Sequence, residues 1–387
     1  MKVYVGMSGG VDSSLAAALL VEEGYQVIGV YMKNWTRDLP GMKCPWADDL
    51  ADAKRVAVQL GIDLKVFDFE KEYKQKVVDY MINEYKAGRT PNPDIMCNQE
   101  VKFKLFLDAA LEDGADMIAT GHYARVTPDS SARSQSEHTL RVVSDQHVAF
   151  GSPAKQRATV SDSKHADEST SASLRMAVDN IKDQTYFLYR VSGEALGKTL
   201  FPIGEYKKSA VRQMAKERGL LTADKKDSQG ICFVGQIGIR DFLSEYVDTK
   251  PGRIIDKHTN EILGQHDGAI FYTLGQRHGL ELGGGLPYYI VGKNMDKNEV
   301  YVTRDLNDDS LWKTKVSLSD LHWINDAPPE KEYQIRIRHR APLAPADLVY
   351  HKDSAELSIK QPQRAVSPGQ SIVIYDGDIC LGGGIVV

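Results

Sequence analysis

Asp94 and Cys97 in TPNPDIMCN, and Cys232 in DSQGICFVG, are the residues of this 387-residue chain best suited to covalent and proton-transfer chemistry. A thiolate is a nucleophile, and a loop cysteine beside cationic groups ionises more readily. Arg89 lies near Cys97 in the sequence, and Lys225 and Lys226 lie near Cys232. A carboxyl group next to a thiol offers a general acid or base, provided it comes within hydrogen-bond reach of the reacting atoms. The bland alternative is that both cysteines are small buried apolar residues. The other two, Cys44 in KCPWADDL and Cys380 in the last apolar run, read as core; a metal-binding role for Cys44 has no recognised spacing behind it.

A second chemical centre is SGGVDSS, preceded by the apolar run VYVGM and followed by LAAALLVEEG. Gly6, Ser8, Gly9 and Gly10 let the backbone fold around an anion, and Ser13 sits near the start of a helix, where the dipole favours phosphate. Neither G-x-x-x-x-G-K-[ST] nor G-x-G-x-x-G is present, so a kinase-type phosphate loop and a dinucleotide fingerprint are both excluded. In place of lysine the loop carries Asp12, a hard oxygen donor that would suit Mg²⁺ beside a pyrophosphate.

These groups need a scaffold. From Lys2 to about Ala124, apolar strands alternate with amphipathic helices, which predicts an α/β fold built on a doubly wound parallel sheet. Such sheets bind ligands at the carboxyl ends of their strands, which would gather the glycine loop, Met32 and the turn at Gly121. Residues from about 127 to 177 are Ser-rich with few aromatics, so this segment reads as a mobile insertion, with TLRVVSDQHVAF as a possible hairpin inside it. Short strands with Gly, Asn and Asp turns dominate beyond Gly252, predicting a small β-rich central domain and a C-terminal β-barrel. The expected division is 1–200, 201–290 and 291–387.

Apolar residues at 42% and charged residues at 26% describe a globular chain, with no apolar run long enough to span a membrane and no leader segment in view, which predicts a cytoplasmic protein. A net charge of -5 argues against coating nucleic acid by bulk electrostatics, so any RNA site must be local. In EYQIRIRHR a two-residue period would place Arg336, Arg338 and Arg340 on one face as a phosphate-contacting ribbon.

SGGVDSS closely resembles the pyrophosphate loop of ATP pyrophosphatases, whose domain is of the adenine nucleotide alpha hydrolase-like type. Together with RTPNPDIMCN, ATGHYAR, KDQTYFLY, FPIGEYKKSAVR, KDSQGICFVG and YTLGQR, it makes the chain resemble the tRNA-specific 2-thiouridylases over nearly its whole length outside the insertion. The resemblance implies ATP at Gly6, Met7, Ser8, Gly9, Gly10, Val11, Asp12, Ser13, Met32 and Gly121, with Mg²⁺ near Asp12. It implies tRNA contacts at Asn92, Pro93, Asp94, His122, Lys182, Asp183, Gln184, Arg338, His339 and Gln370. It further implies adenylation of the wobble uridine O2, a persulfide on Cys232 supplied by a sulfur-relay protein, discharge by Cys97 through a transient Cys97–Cys232 disulfide, and Asp94 as general acid/base. The rivals are an amide-forming adenylating ligase, which would not need the cysteines, and a nucleotide-regulated RNA-binding protein, which would release no pyrophosphate.

Overall fold

A computed structural model describes residues 1–38, 44–128, 171–227, 238–283 and 285–387. Strands β1 (Lys2–Gly6), β2 (Gln26–Lys33), β3 (Asp63–Asp68), β4 (Met117–Thr120) and a short strand at Thr199–Leu200 form a parallel sheet among the described residues. β1 lies at its centre between β2 and β4, so the chain leaves the sheet in opposite directions on either side of β1. This is the switch point at which such sheets take ligands, and the glycine loop sits there.

The helix Val11–Glu22 that follows β1 buries both flanks, which is why its run of alanines and leucines shows no polar stripe. Ala17 and Leu20 pack on Val3, Val5 and Ala53, while Leu15, Ala16 and Leu19 pack on Val211 and Ala215 of the helix Lys208–Glu217. That second contact carries the stretch around Lys208 onto the start of the chain. The next helix, Trp46–Leu60, ends at Gly61 in a left-handed conformation (φ 65°) that glycine adopts without steric cost.

The chain crosses to other layers twice. β5 (Ala124–Pro128) and β6 (Ala172–Met176) pair as an antiparallel hairpin, with Leu174 fully buried. The flanks of the predicted mobile insertion are therefore ordered strands; its remainder, including TLRVVSDQHVAF, lies outside the described residues. Counting Thr199–Leu200 as β7, the strands β8 (Gly252–Asp256), β9 (Ile262–His266), β10 (Tyr289–Asn294) and β11 (Glu299–Thr303) make a separate sheet in the order β10-β11-β8-β9. Residues 289–303 thus pair with the central sheet rather than with the barrel.

The barrel comprises β12 (Trp312–Trp323), β13 (Glu332–Arg336), β14 (Ala344–His351), β15 (Ser354–Arg364), β16 (Ser371–Asp376) and β17 (Ile379–Val386), closed by pairing of β12 with β17. Its interior is aliphatic, with Leu318, Ile335, Leu348, Leu357 and Ile372 at its centre. The first residues of β17 also pair with β6, Ile379 opposite Arg175 and Cys380 opposite Leu174. Asp378 accepts from Arg125 at 3.0 Å and from Arg175 at 2.7 Å at the same junction. Cys380 is core, as the alternation predicts, and burial pushes its thiol up.

Candidate active site

The glycine loop braces itself. The Ser13 hydroxyl accepts from the Ser8 N–H at 3.2 Å and donates to the Gly10 carbonyl at 3.2 Å, and the Ser14 hydroxyl donates to the same carbonyl at 2.8 Å. Gly10 starts the helix with no side-chain cap, so the dipole end is left to an anion. Gly9 has φ 71°, and a Cβ there would stand 2.4 Å from the Asp49 carbonyl oxygen. At Gly121 a Cβ would stand 2.6 Å from the Ser13 nitrogen, so the end of β4 closes directly onto the loop only because position 121 is glycine. Met7 is buried in the core beneath, which leaves its backbone, not its side chain, for a nucleotide. Met32 lies half-buried beside Gly6, its Cε 3.0 Å from where a Cβ would be.

The lysine that the loop sequence lacks arrives from elsewhere. Lys208, at the start of its helix, donates to both oxygens of Asp12 at 2.7 and 2.8 Å, and Tyr123 donates its hydroxyl to Asp12 at 2.8 Å. Burial and the Asp12 carboxylate push the Tyr123 phenol far up, so it stays a donor. Lys208 also pairs with Asp227 at 2.9 Å, which takes Lys182 at 2.7 Å and Arg212 at 2.6 Å. Burial would raise the Asp227 carboxyl, but hydrogen bonds from Lys182 and Lys208 hold it at about 2. No local signal in the sequence marks Lys208, because a lysine beginning a helix next to Lys207 has the pattern of a solvated face.

The sequence assigns Asp12 to Mg²⁺. In the fold its carboxylate already accepts three hydrogen bonds, of about four positions a carboxylate offers. Among the described residues no group of three His, Cys, Asp or Glu side chains could hold a metal ion. A Mg²⁺ carried on ATP needs only one or two protein carboxylates beside phosphate and water oxygens; in this structure the Asp12 carboxylate is the counter-ion of Lys208.

Asp94 and Cys97 begin the long helix that leads to Glu112. Asn92 caps it, its side-chain oxygen accepting from the Asp94 and Ile95 N–H groups, and Pro93 occupies the first turn. Three residues apart, Asp94 and Cys97 share one helical face. From Cys97 to Leu105 the helix widens to π spacing, a distortion common at functional sites. Burial raises the Asp94 carboxyl, opposed by Lys102, and Cys97 itself is buried. Arg89, expected to lend charge to Cys97, instead donates to Glu84 at 2.6 Å. Cys232 lies outside the described residues, and with it the geometry of the Cys97–Cys232 pair. Of its presumed neighbours, Lys225 is taken by Asp49 at 2.8 Å and Asp52 at 2.6 Å.

A continuous set of contacts joins the thiol to the loop. Asn98, next to Cys97, donates to the Phe187 carbonyl at 3.0 Å; the Phe187 N–H donates to the Gln184 carbonyl; and Gln184 exchanges two hydrogen bonds with the backbone of Tyr123, whose hydroxyl holds Asp12.

The expected RNA-contacting residues divide. Arg338 is exposed, while His339 and Gln370 are half-buried on the barrel. His339 packs on Phe187 with ring centroids 4.5 Å apart, and burial with Arg340 and Arg336 pushes its imidazole down to about 4. His122 is buried between Phe103 and Phe201 and bonded to Thr120 at 2.8 Å; burial holds it neutral. Asp183 is wholly buried and accepts from Arg336, Thr185 and the Ala177 N–H. The arginine ribbon is corrected by the same contact: β13 ends at Arg336, which turns inward to Asp183 and over the Tyr375 ring, while Arg340 sits in a turn with φ 63°. Only Arg338 and Arg340 of the three remain exposed.

Comparison with known proteins decides the family. Residues 1–236 match a family described as the tRNA methyl transferase HUP domain, 240–304 one described as the tRNA methyl transferase PRC-barrel domain, and 313–386 one described as the aminomethyltransferase beta-barrel domain. The tRNA-specific 2-thiouridylase MnmA of Bacillus cytotoxicus is 42% identical over 389 residues, covering 100% of this chain and 94% of that protein. This chain belongs to the tRNA-specific 2-thiouridylase family. As a 2-thiouridylase it is a sulfurtransferase that uses ATP and acts on tRNA. Among solved structures, NMN synthetase from Francisella tularensis aligns at TM-score 0.29 and 14% identity over 59% of this chain and 66% of that one. The U34-tRNA thiolase NcsA from Methanococcus maripaludis aligns at TM-score 0.24 and 23% identity over 32% and 38%. These two likenesses are too slight to carry an argument. No described helix of the 2-thiouridylase is long and apolar enough to cross a membrane.

Proposed function

We propose that the 2-thiouridylase adenylates the wobble uridine at the glycine loop and thiolates it at Cys97 and Cys232. The contact path from Asn98, next to Cys97, through Phe187, Gln184 and Tyr123 to Asp12 is the observation that supports this reading, because it ties the thiol's neighbour to the carboxylate of the glycine loop. The uridine O2 attacks the α-phosphate of ATP and pyrophosphate leaves. Lys208, one hydrogen bond from the loop, supplies positive charge where pyrophosphate charge develops, the task a phosphate-loop lysine performs elsewhere.

The terminal sulfur of a Cys232 persulfide then attacks C2, and AMP departs with the former O2. The Cys97 thiolate attacks the Cys232 sulfur, which breaks the S–S bond to the substrate, leaves 2-thiouridine and forms a Cys97–Cys232 disulfide that an external thiol reduces. Asp94, whose buried carboxyl holds its proton more tightly than an exposed one, serves as the acid and base beside the base. A sulfur-relay protein delivers the persulfide. The cytoplasm, where thiols are kept reduced, suits this cycle.

The test is mass spectrometry of tRNA after incubation with ATP, Mg²⁺ and a sulfur source. Wild-type protein is expected to yield 2-thiouridine at the wobble position, and Cys97→Ala and Cys232→Ala none. Full thiolation by either alanine variant would remove the thiol relay from the reaction.

A further inference from the structure

The barrel carries a cleft of about 390 Å³ that the mechanism above does not use. Trp312, Arg338, His339, Arg340 and Arg364 line it, and no acidic side chain does, on a chain whose net charge is -5. The guanidiniums are held in place. Arg364 lies over the Tyr289 ring at 4.5 Å, and Arg338 donates to the Arg364 carbonyl at 2.7 Å. Two buried polar atoms of this wall, Arg364 Nη2 and His339 Nδ1, have no hydrogen-bond partner in the protein. Both atoms are buried, and His339 Nδ1 is donor or acceptor according to its tautomer, so the donors a ligand in the cleft meets first are the exposed guanidiniums of Arg338 and Arg340. Beside Arg364, its cross-strand neighbour, the Trp312 ring is pinned by its N–H donating to the Leu306 carbonyl at 2.7 Å, yet 39% of the residue stays open to solvent.

Cationic donors beside an exposed aromatic ring in one cleft match single-stranded nucleic acid, which offers a phosphate and a stackable base together. A bare phosphate would leave the indole without a role. The location agrees: His339 packs on Phe187, and the Phe187 carbonyl holds Asn98 beside Cys97, so one ring and one peptide separate the cleft from the thiol's neighbour. We infer that the cleft seats an unpaired nucleotide flanking the target uridine, its phosphate on Arg338, Arg340 and Arg364 and its base against Trp312. The inference rests on thiolation taking place at Cys97.

Equilibrium binding of an anticodon stem-loop to the full-length protein tests it, using wild type and Trp312→Ala, with intact RNA and with RNAs lacking one base on either side of the wobble uridine. Base–aromatic stacking predicts that Trp312→Ala weakens intact RNA by roughly 5- to 100-fold. Removing the seated base should weaken wild type similarly, and the two changes together should cost little more than one. Trp312→Phe should restore most of the affinity. An equal Trp312→Ala loss with and without each flanking base overturns the inference. So does a wild-type affinity indifferent to both abasic positions, which decides the matter even if the alanine variant fails to fold. Thiolation is scored separately on the intact stem-loop: wild type that forms no 2-thiouridine sinks the site reading, whereas thiolation without base–Trp312 coupling sinks only the cleft.

Discussion

Asp183→Asn separates a buried structural anchor from an RNA contact. Asp183 Oδ2 accepts from Arg336 at 2.9 Å and from Thr185 at 2.8 Å, and Oδ1 accepts from the Ala177 N–H at 2.9 Å. The Asp183 side chain is 0% exposed and that of Arg336 7%. An asparagine oxygen at the Oδ2 position keeps the Arg336 and Thr185 bonds but turns its NH₂ group onto the Ala177 N–H; either way round, the buried guanidinium loses its countercharge. Thr185 can turn its hydroxyl; Arg336 cannot adapt, and its Nε already lacks a partner. Breaking one side of a buried ion pair costs about 3–5 kcal/mol, and the low end applies because the amide oxygen keeps the Arg336 hydrogen bond. At about 2–4 °C per kcal/mol for a cooperative unit of this size, a loss of ~3 kcal/mol lowers the thermal midpoint by roughly 6–12 °C. Calorimetry reads that shift, and tRNA binding measured well below the transition should stay close to wild type. Replacing both partners, Asp183→Leu with Arg336→Met, should recover at least half of the loss, since apolar pairs substitute well for buried ion pairs. A midpoint within about 1 °C of wild type together with a collapse in tRNA affinity would refute the assignment.

Two further outcomes follow from the site. Lys208→Met should cut tRNA-dependent pyrophosphate release by about 100-fold, as loss of one preorganised charge-stabilising donor does, with Lys208→Arg intermediate; ATP turnover within twofold of wild type would return Lys208 to a purely structural role. Burial raises the Asp94 carboxyl, so the folded state binds that proton more tightly than the unfolded chain. The wild-type protein therefore loses stability as pH rises from the unfolded carboxylate value of about 4 through the raised folded value. Asp94→Asn should flatten this part of the stability curve and raise the melting midpoint at neutral pH while thiolation falls; a slope unchanged in the variant would assign it to another group.

Much of the catalytic half was legible because its signals are local. The strand, glycine loop and helix at the start of the chain follow from adjacent residues, and Gly24 and Gly61 mark helix ends with φ 85° and 65°. The barrel strands announced themselves by alternation, but their partners did not. A two-residue period sets Arg336 beside Arg340 only if the strand continues to Arg340, whereas burial of the Arg336 guanidinium depends on Asp183, which lies far away in sequence. The strand Ala172–Met176 was hidden in Ser-rich composition; it forms because Ala124–Pro128 and the start of β17 offer it two hydrogen-bonding edges. Lys208 belongs to the loop only through packing of its helix on Leu15 and Leu19, which no window of sequence displays.

Because β17 divides one edge between β6 and β12, the hairpin β5–β6, which follows β4 almost at once in the chain, shares one sheet with the barrel strands. With the buried Asp183–Arg336 pair beside it, that hairpin swings with the barrel, like two rooms hung on a common beam. Among the described strands the central sheet shares no ladder with either, and it touches the catalytic layer through side chains such as Thr90 with Thr273 and Met295 near Gly88. Any widening that admits a folded RNA therefore falls to that middle piece, and cross-links between it and its neighbours should slow substrate entry where links between barrel and catalytic layer do not.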